Sequence, residues 1–308
     1  MRQQTLADGK FEKFRKKTRK ELFLNDMEQI IPWKELCKAI EPYYPKPEGA
    51  GRRPVGIERM LRIHFLQHWF DLSEPGAEEA LYDSRAMRTF VGIDLGREPV
   101  PDETTILNFR HLMEHHNLGD ELFRLVNVYL EENGMKVARG TIVDATIINA
   151  PSSTKNKDKK RDPEMHQTRK GNQWYFGMKA HIGVDSKTKM IHSVVATAAN
   201  THDSQVLEDL LHGEETRVWG DSAYAGQQQV LHEHAPNAKD FTNKKGCRNR
   251  PLSEEDADKN RTKSKIRAKV EHPFLILKRV FGFNKVRYRG LDKNASWLFV
   301  SCGLVNLY

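Results

Sequence analysis

The sequence predicts an α/β protein in two parts, an all-helical region over residues 1–135 and a domain built on a central mixed sheet over residues 136–308. Three observations carry this reading. Up to about residue 135 the apolar residues recur at helical spacing between breaks rich in Pro and Gly. From residue 141 the pattern changes to β-branched runs and strict alternation. The later segments then follow as three strands and an alternation of helix and strand.

In the first part, Phe11, Phe14 and Leu22 lie on a strongly basic segment. Ile30, Ile31, Trp33, Leu36 and Ile40 follow, with Pro32 where a first helical turn tolerates it. Residues 45–51, Pro-Lys-Pro-Glu-Gly-Ala-Gly, read as a linker. The run from Ile57 to Phe70 is apolar on most faces, which predicts a buried helix. After a break at residues 73–76, one helix is expected over 77–90, carrying Leu81, Met87 and Phe90. Asp102 is placed to cap another over 103–116. Two helices across a turn containing Gly and Pro are compatible with a helix-turn-helix, but helix pairs are common in any α-rich domain and the motif has no sharp sequence code, so the plainer reading is preferred. His111, His115 and His116 read as solvated, because the pair at i, i+4 lacks the adjoining Glu of a zinc-protease helix.

The second part opens with residues 141–149, a β-branched strand with Asp144 at its centre. A carboxylate there is costly unless it has a partner, a metal or a strand end. Residues 151–173 form a polar arm, with Lys155 and Lys157, too poor in apolar residues to build a core; a mobile loop is expected. Alternation from Trp174 to Val184, a turn at 185–189 and a return over 190–199 predict a hairpin. Val206, Leu207, Leu210 and Leu211 suggest a helix capped by Asp203 or a neighbour, a reading preferred to a His202–Asp203 metal dyad. A short strand then ends on Asp221 before a helix beginning near Gly226, the position where open α/β sheets carry functional groups. A strand over 238–244, a charged loop over 246–259 and a basic helix holding a single acid, Glu271, close the series, with a short insertion placed near 239–260.

That order is ribonuclease-H-like, as in retroviral integrases. It sets the first and fourth strands side by side, bringing Asp144 to Asp221, and lets Glu271 reach them from a helix packed across the sheet edge. Pro273 predicts that this helix kinks or restarts just after Glu271.

With 50 Lys and Arg against 42 Asp and Glu, the net charge of +8 favours a polyanionic partner, nucleic acid first. The charge is concentrated, since residues 239–290 hold 16 Lys and Arg against 6 Asp and Glu. Cys37, Cys247 and Cys302 fit neither a disulfide framework nor a zinc module, so a reducing cytoplasm is expected. No apolar signal core opens the chain, and the most apolar tract, 297–308, is too short to span a bilayer; export and a membrane are not expected.

Five ordered motifs carry a family resemblance: Val143-Asp-Ala-Thr146, residues 175–185 (Tyr-Phe-Gly-Met-Lys-Ala-His-Ile-Gly-Val-Asp), Ala199-Asn-Thr-His-Asp203, residues 220–226 (Gly-Asp-Ser-Ala-Tyr-Ala-Gly) and Val270-Glu-His-Pro-Phe274. Together they resemble the DDE transposases of bacterial insertion sequences, most nearly the insertion sequence 5 family within the insertion sequence 4 superfamily. Residues 51–110 also look like that family's helical N-terminal region. The superfamily's Tyr-x2-Arg-x3-Glu-x6-Lys signature falls on Ser264, Arg267, Glu271 and Lys278, with Ser in place of Tyr.

The resemblance implies a transposase that binds the terminal inverted repeats of its element, cuts them and joins them to target DNA. It would act in the bacterial cytoplasm on double-stranded DNA, as a homodimer in a synaptic complex. Asp144, Asp221 and Glu271 would be catalytic and hold two Mg²⁺ or Mn²⁺ ions. Such ions suit carboxylates and phosphate oxygens, and a pair can activate the attacking oxygen and stabilise the leaving one. Arg267, Lys278, Lys269, Arg279, Lys179, Lys155 and Lys157 are the candidate DNA contacts. Two other readings remain: a transposase-derived DNA-binding protein without catalysis, and a metal-dependent nuclease of the same fold that does not transpose.

Overall fold

A computed structural model describes residues 16–46, 53–135, 137–157, 159–246 and 251–308. Among these residues seven helices come first: α1 (Arg19–Ile30), α2 (Trp33–Ile40), α3 (Ile57–Phe70), α4 (Glu74–Asp83), α5 (Arg85–Val91), α6 (Glu103–His115) and α7 (Leu118–Glu132). Phe11, Phe14 and most of the linker at 45–51 lie outside the described residues. Helix α3 is buried on every face from Met60 to Trp69, and its Arg62 is neutralised in place by Glu28 and Glu58. Asp102 caps α6 as expected, its Oδ1 accepting from Thr105 N at 2.7 Å. The single helix expected over 77–90 is instead two. Ser84 takes an extended conformation, ends α4 and caps α5 through Met87 N, because a serine hydroxyl serves a helix start better than a helix interior.

Among the described residues six strands build the sheet: β1 (Gly140–Asn149), β2 (His166–Lys170), β3 (Gln173–Asp185), β4 (Ile191–Ala198), β5 (Arg217–Trp219) and β6 (Lys239–Asp240). Strand β3 pairs antiparallel with β1, β2 and β4, while β1, β5 and β6 run parallel. The order β3-β1-β5-β6, with β2 and β4 both on β3, is the ribonuclease-H-like arrangement. Helix α8 (Gln228–His234) lies between β5 and β6; α9 (Glu254–Arg267), α10 (Glu271–Leu275) and α11 (Leu291–Leu307) follow.

Four expectations for this part are corrected. The arm at 151–173 is not a free loop, for its end forms the edge strand β2. Asp162 and Glu164 accept from Gly290 N and Leu291 N at 2.7 and 2.6 Å, so that these two acids of the arm serve the otherwise unpaired amides that open α11. Residues 203–210 make two 3₁₀ turns, Asp203–Val206 and Glu208–Leu210, rather than a helix; Val206, Leu207 and Leu210 are still buried. The charged loop expected over 246–259 becomes helix from Glu254, capped by Ser253 through Asp256 N at 3.1 Å; Cys247 lies outside the described residues. The restart expected just after Glu271 occurs at Glu271 itself, with the hydrogen bonding changed on both sides of the new helix. A 3₁₀ turn at Ala268–Val270 precedes α10, and a π turn at Ile276–Val280 follows it. Pro273 therefore falls in a first helical turn, where its missing N–H costs little.

One apolar core runs from Leu24 through the inner face of the sheet to Leu307, so helices and sheet are packed as a unit. Helix α11, which carries most of the apolar tract at 297–308, fills the middle of that core. No helix among the described residues is long and apolar enough to cross a membrane. A second, smaller core on the other face of the sheet holds Val143, Val218 and Tyr224.

Candidate active site

The site arises because two neighbouring parallel strands differ in length. Strand β5 pairs with β1 only from Gly140 to Ile142 and stops at Trp219, whereas β1 continues to Asn149. Further along β1 the exposed edge is covered again, by Lys278 Nζ on Ile147 O at 2.7 Å and by Val286 N on Asn149 O at 2.8 Å. Between these points a cavity of about 810 Å³ opens beside the strand. Asp144 projects from the uncovered part of β1. Asp221 stands just past the end of β5, and Glu271 opens α10; all three line this cavity.

Each acid is held differently. Asp221 caps a 3₁₀ turn, its Oδ1 accepting from Ala223 N at 2.8 Å. Gly220, just before it, lets Tyr224 and Thr242 pack close against the backbone, since a Cβ there would lie 3.1 Å from Tyr224 Cδ2 and 3.2 Å from Thr242 Cγ2. Glu271 is exposed. The Asp144 side chain is only 14 % exposed; Oδ1 accepts from Ala145 N at 2.8 Å and Oδ2 from Arg267 Nη1 at 3.0 Å. Burial pushes its carboxyl up to about 6. The Ala145 amide and Arg267 pull it back, and the charges of Asp221 and Glu271 add to the rise.

The basic candidates divide by place. Arg267, Lys278, Arg279 and Lys179 line the cavity with the acids. Burial lowers the Lys278 ammonium pKa, with Lys170 adding to the effect and Glu271 opposing it. Lys269 faces elsewhere, donating to Ser186 O at 2.6 Å, and Lys155 and Lys157 are exposed on the arm outside the cavity. Asp203, Arg169 and Lys170 also line it and were not among the sequence candidates. The signal for Asp203 was its place in the Asn-Thr-His-Asp motif, where a capping role hid it. It is His202 that caps the 3₁₀ turn, leaving Asp203 to pair with Lys179.

The residue patterns of two families match this chain. The Transposase DDE domain covers residues 136–307, more than half of it. The chain belongs to the DDE transposases. A second family, the Transposase domain (DUF772), covers residues 12–112 of this transposase. Among solved structures, the transposase is similar to the piggyBac transposase in a synaptic complex with hairpin DNA, determined by cryo-EM, over 89 % of this chain and 70 % of that one. Identity is 10 % and the TM-score 0.44, too low for the likeness to bear on function.

Among the described residues no three His, Cys, Asp or Glu side chains are gathered tightly enough to cage one ion. Mg²⁺ does not ask for such a cage: it keeps several waters and takes one or two carboxylates together with phosphate oxygens. Asp144, Asp221 and Glu271 offer only hard oxygen donors to one cavity, and the half-compensated charge of Asp144 invites a cation. The residues fit a hard divalent ion.

Proposed function

We propose that this protein is the transposase of an insertion sequence, of the insertion sequence 5 type, which binds the element's terminal inverted repeats, cleaves them and transfers the strands to target DNA. The observation that carries this reading is the single cavity where three carboxylates from β1, the end of β5 and α10 face a basic rim. Asp144 and Asp221, with Glu271 completing the set, would hold two Mg²⁺ or Mn²⁺ ions. Bound ions would activate the attacking water or 3′-hydroxyl and stabilise the leaving oxygen.

The chain's own residues supply the rest. Arg267 holds Asp144 from one side and itself lines the cavity, which places its guanidinium where a phosphate would enter. Lys278 fastens α10 and its π turn to β1 through Ile147 O, which holds the Glu271 segment against the strand bearing Asp144. Arg279, Arg169 and Lys170 extend the positive rim along the strand's path, and Lys155 and Lys157 lie further out on the arm. The helical region over 1–135 is assigned to end recognition and dimerisation. Two ends must be held together, so the active species is a homodimer.

Asp144→Ala, Asp221→Ala and Glu271→Ala are expected to abolish Mg²⁺-dependent nicking of a duplex carrying the inverted repeat while changing its binding little. Nicking that survives in all three variants would refute the assignment.

A further inference from the structure

Asp203 is a fourth carboxylate facing the cavity, and a lysine holds it there. Lys179 Nζ donates to Asp203 Oδ1 at 2.8 Å and to Thr201 O at 2.7 Å, with the two side chains 13 % and 20 % exposed. Two buried polar groups close to this pair have no partner among the described residues. One is the Tyr224 hydroxyl, on a residue 1 % exposed. His181 is fully buried, and its Nδ1 stands unpaired 3.9 Å from Asp203 Oδ1. Its Nε2 lies 2.8 Å from Thr197 Oγ1, whose hydroxyl donates to Ala198 O; Nε2 therefore carries the hydrogen, and Nδ1 is a bare acceptor that cannot satisfy Asp203.

A buried phenol without an acceptor, near a carboxylate engaged by an ammonium, is a set of groups with a second way to pair. The 3₁₀ turn that carries Asp203 packs against the 3₁₀ turn Ser222–Tyr224 that carries the phenol, and the Asp203 charge adds to the burial that raises the phenol's pKa. We propose that Lys179 is a phosphate-binding residue held in reserve by Asp203: when a DNA strand enters, the ammonium passes to a phosphate oxygen and Asp203 turns to accept the Tyr224 hydroxyl. Asp203 is then a positioning residue acting through Lys179. The exchange moves no proton and breaks no covalent bond. It rests on the reading of the cavity as a DNA site.

The test is equilibrium binding of a labelled duplex carrying the terminal repeat, with Ca²⁺ replacing Mg²⁺, over a range of KCl. Lys179→Gln is expected to weaken binding several-fold and make the log–log salt slope shallower by about 0.9, one phosphate contact. Asp203→Asn, which unties the lysine, is expected to tighten binding with the slope unchanged. Tyr224→Phe should weaken binding in the wild type and do nothing in the Asp203→Asn background, a coupling that a purely structural role does not produce. A Lys179→Gln protein with wild-type affinity and slope overturns the proposal, as does weakening by Asp203→Asn. If Asp203→Asn does not fold, the Lys179→Gln slope and the Tyr224→Phe effect decide. Arg267→Ala separates the two levels: binding unchanged there as well refutes the DNA site itself, whereas binding weakened there but not in Lys179→Gln refutes only the reserve role.

Discussion

Asp185 and Asp144 stand on paired strands, Asp185 opposite Thr141 and Asp144 opposite Ile182, yet they are handled in opposite ways. Asp185 is fully buried at the β3–β4 turn and accepts from Ala138 N, Lys187 N, Thr188 N and Thr188 Oγ1 at 2.6 to 2.9 Å. Burial alone would raise its pKa; those hydrogen bonds win, and the carboxyl is held below its usual range. Asp144 receives one backbone amide and one guanidinium, and burial prevails. The turn engages both oxygens of its aspartate, in four hydrogen bonds from the surrounding chain. The strand beside the short β5 leaves its aspartate under-paired and facing a cavity. A structural acid and a candidate catalytic acid can thus be told apart by how completely their oxygens are used.

The sharpest way to break this comparison is to change each acid to its amide. Asp144→Asn is expected to lower strand cleavage by roughly 10³-fold, the loss of several kcal/mol of transition-state stabilisation. Asp185→Asn should leave the cleavage rate of the folded fraction within about tenfold of wild type. Equal losses in a single-turnover nicking assay would show that the two acids do not differ in role.

Stability should reverse the order. Asp185→Ala strands three backbone amides and is expected to cost about 3 kcal/mol in denaturant unfolding, more than any change at Asp144. A smaller loss than that of Asp144→Ala would mean that the hydrogen bonds at the turn are dispensable.

The smallest effect is in pH dependence, and its sign differs between the two sites. A carboxyl raised from 3.8 to about 6 contributes stability that is present below about 4 and lost as pH rises through 6. In chelator, Asp144→Asn should therefore gain on wild type by up to about 2–3 kcal/mol between pH 4 and 7. Asp185, held low, contributes above its unfolded value and loses that contribution on acidification, so Asp185→Asn should be worst near neutrality and approach wild type in acid. Parallel unfolding curves across pH 4 to 8 check both signs.

The elements with a strong period were legible from residues alone. The apolar run at 57–70 is α3, with the same ends, and the alternation after 174 is β3 within a residue of its limits. Ser84 and Ser253 were legible in principle, because a hydroxyl before a new helical turn is a local signal. The edge strand β2 was not, since nothing in His-Gln-Thr-Arg-Lys is apolar and its pairing comes from β3.

By itself, the sequence determined that acids sit on a first strand, after a later strand and in a basic helix, because strand and helix periods are local properties of the chain. Only the tertiary structure decided which side chains share the cavity. It brought Asp203 and Lys179 in, set Arg267 on Asp144 and turned Lys269 away to Ser186. Those outcomes follow from where β5 stops against β1 and how α10 crosses the uncovered edge, relations between distant segments that no local pattern encodes.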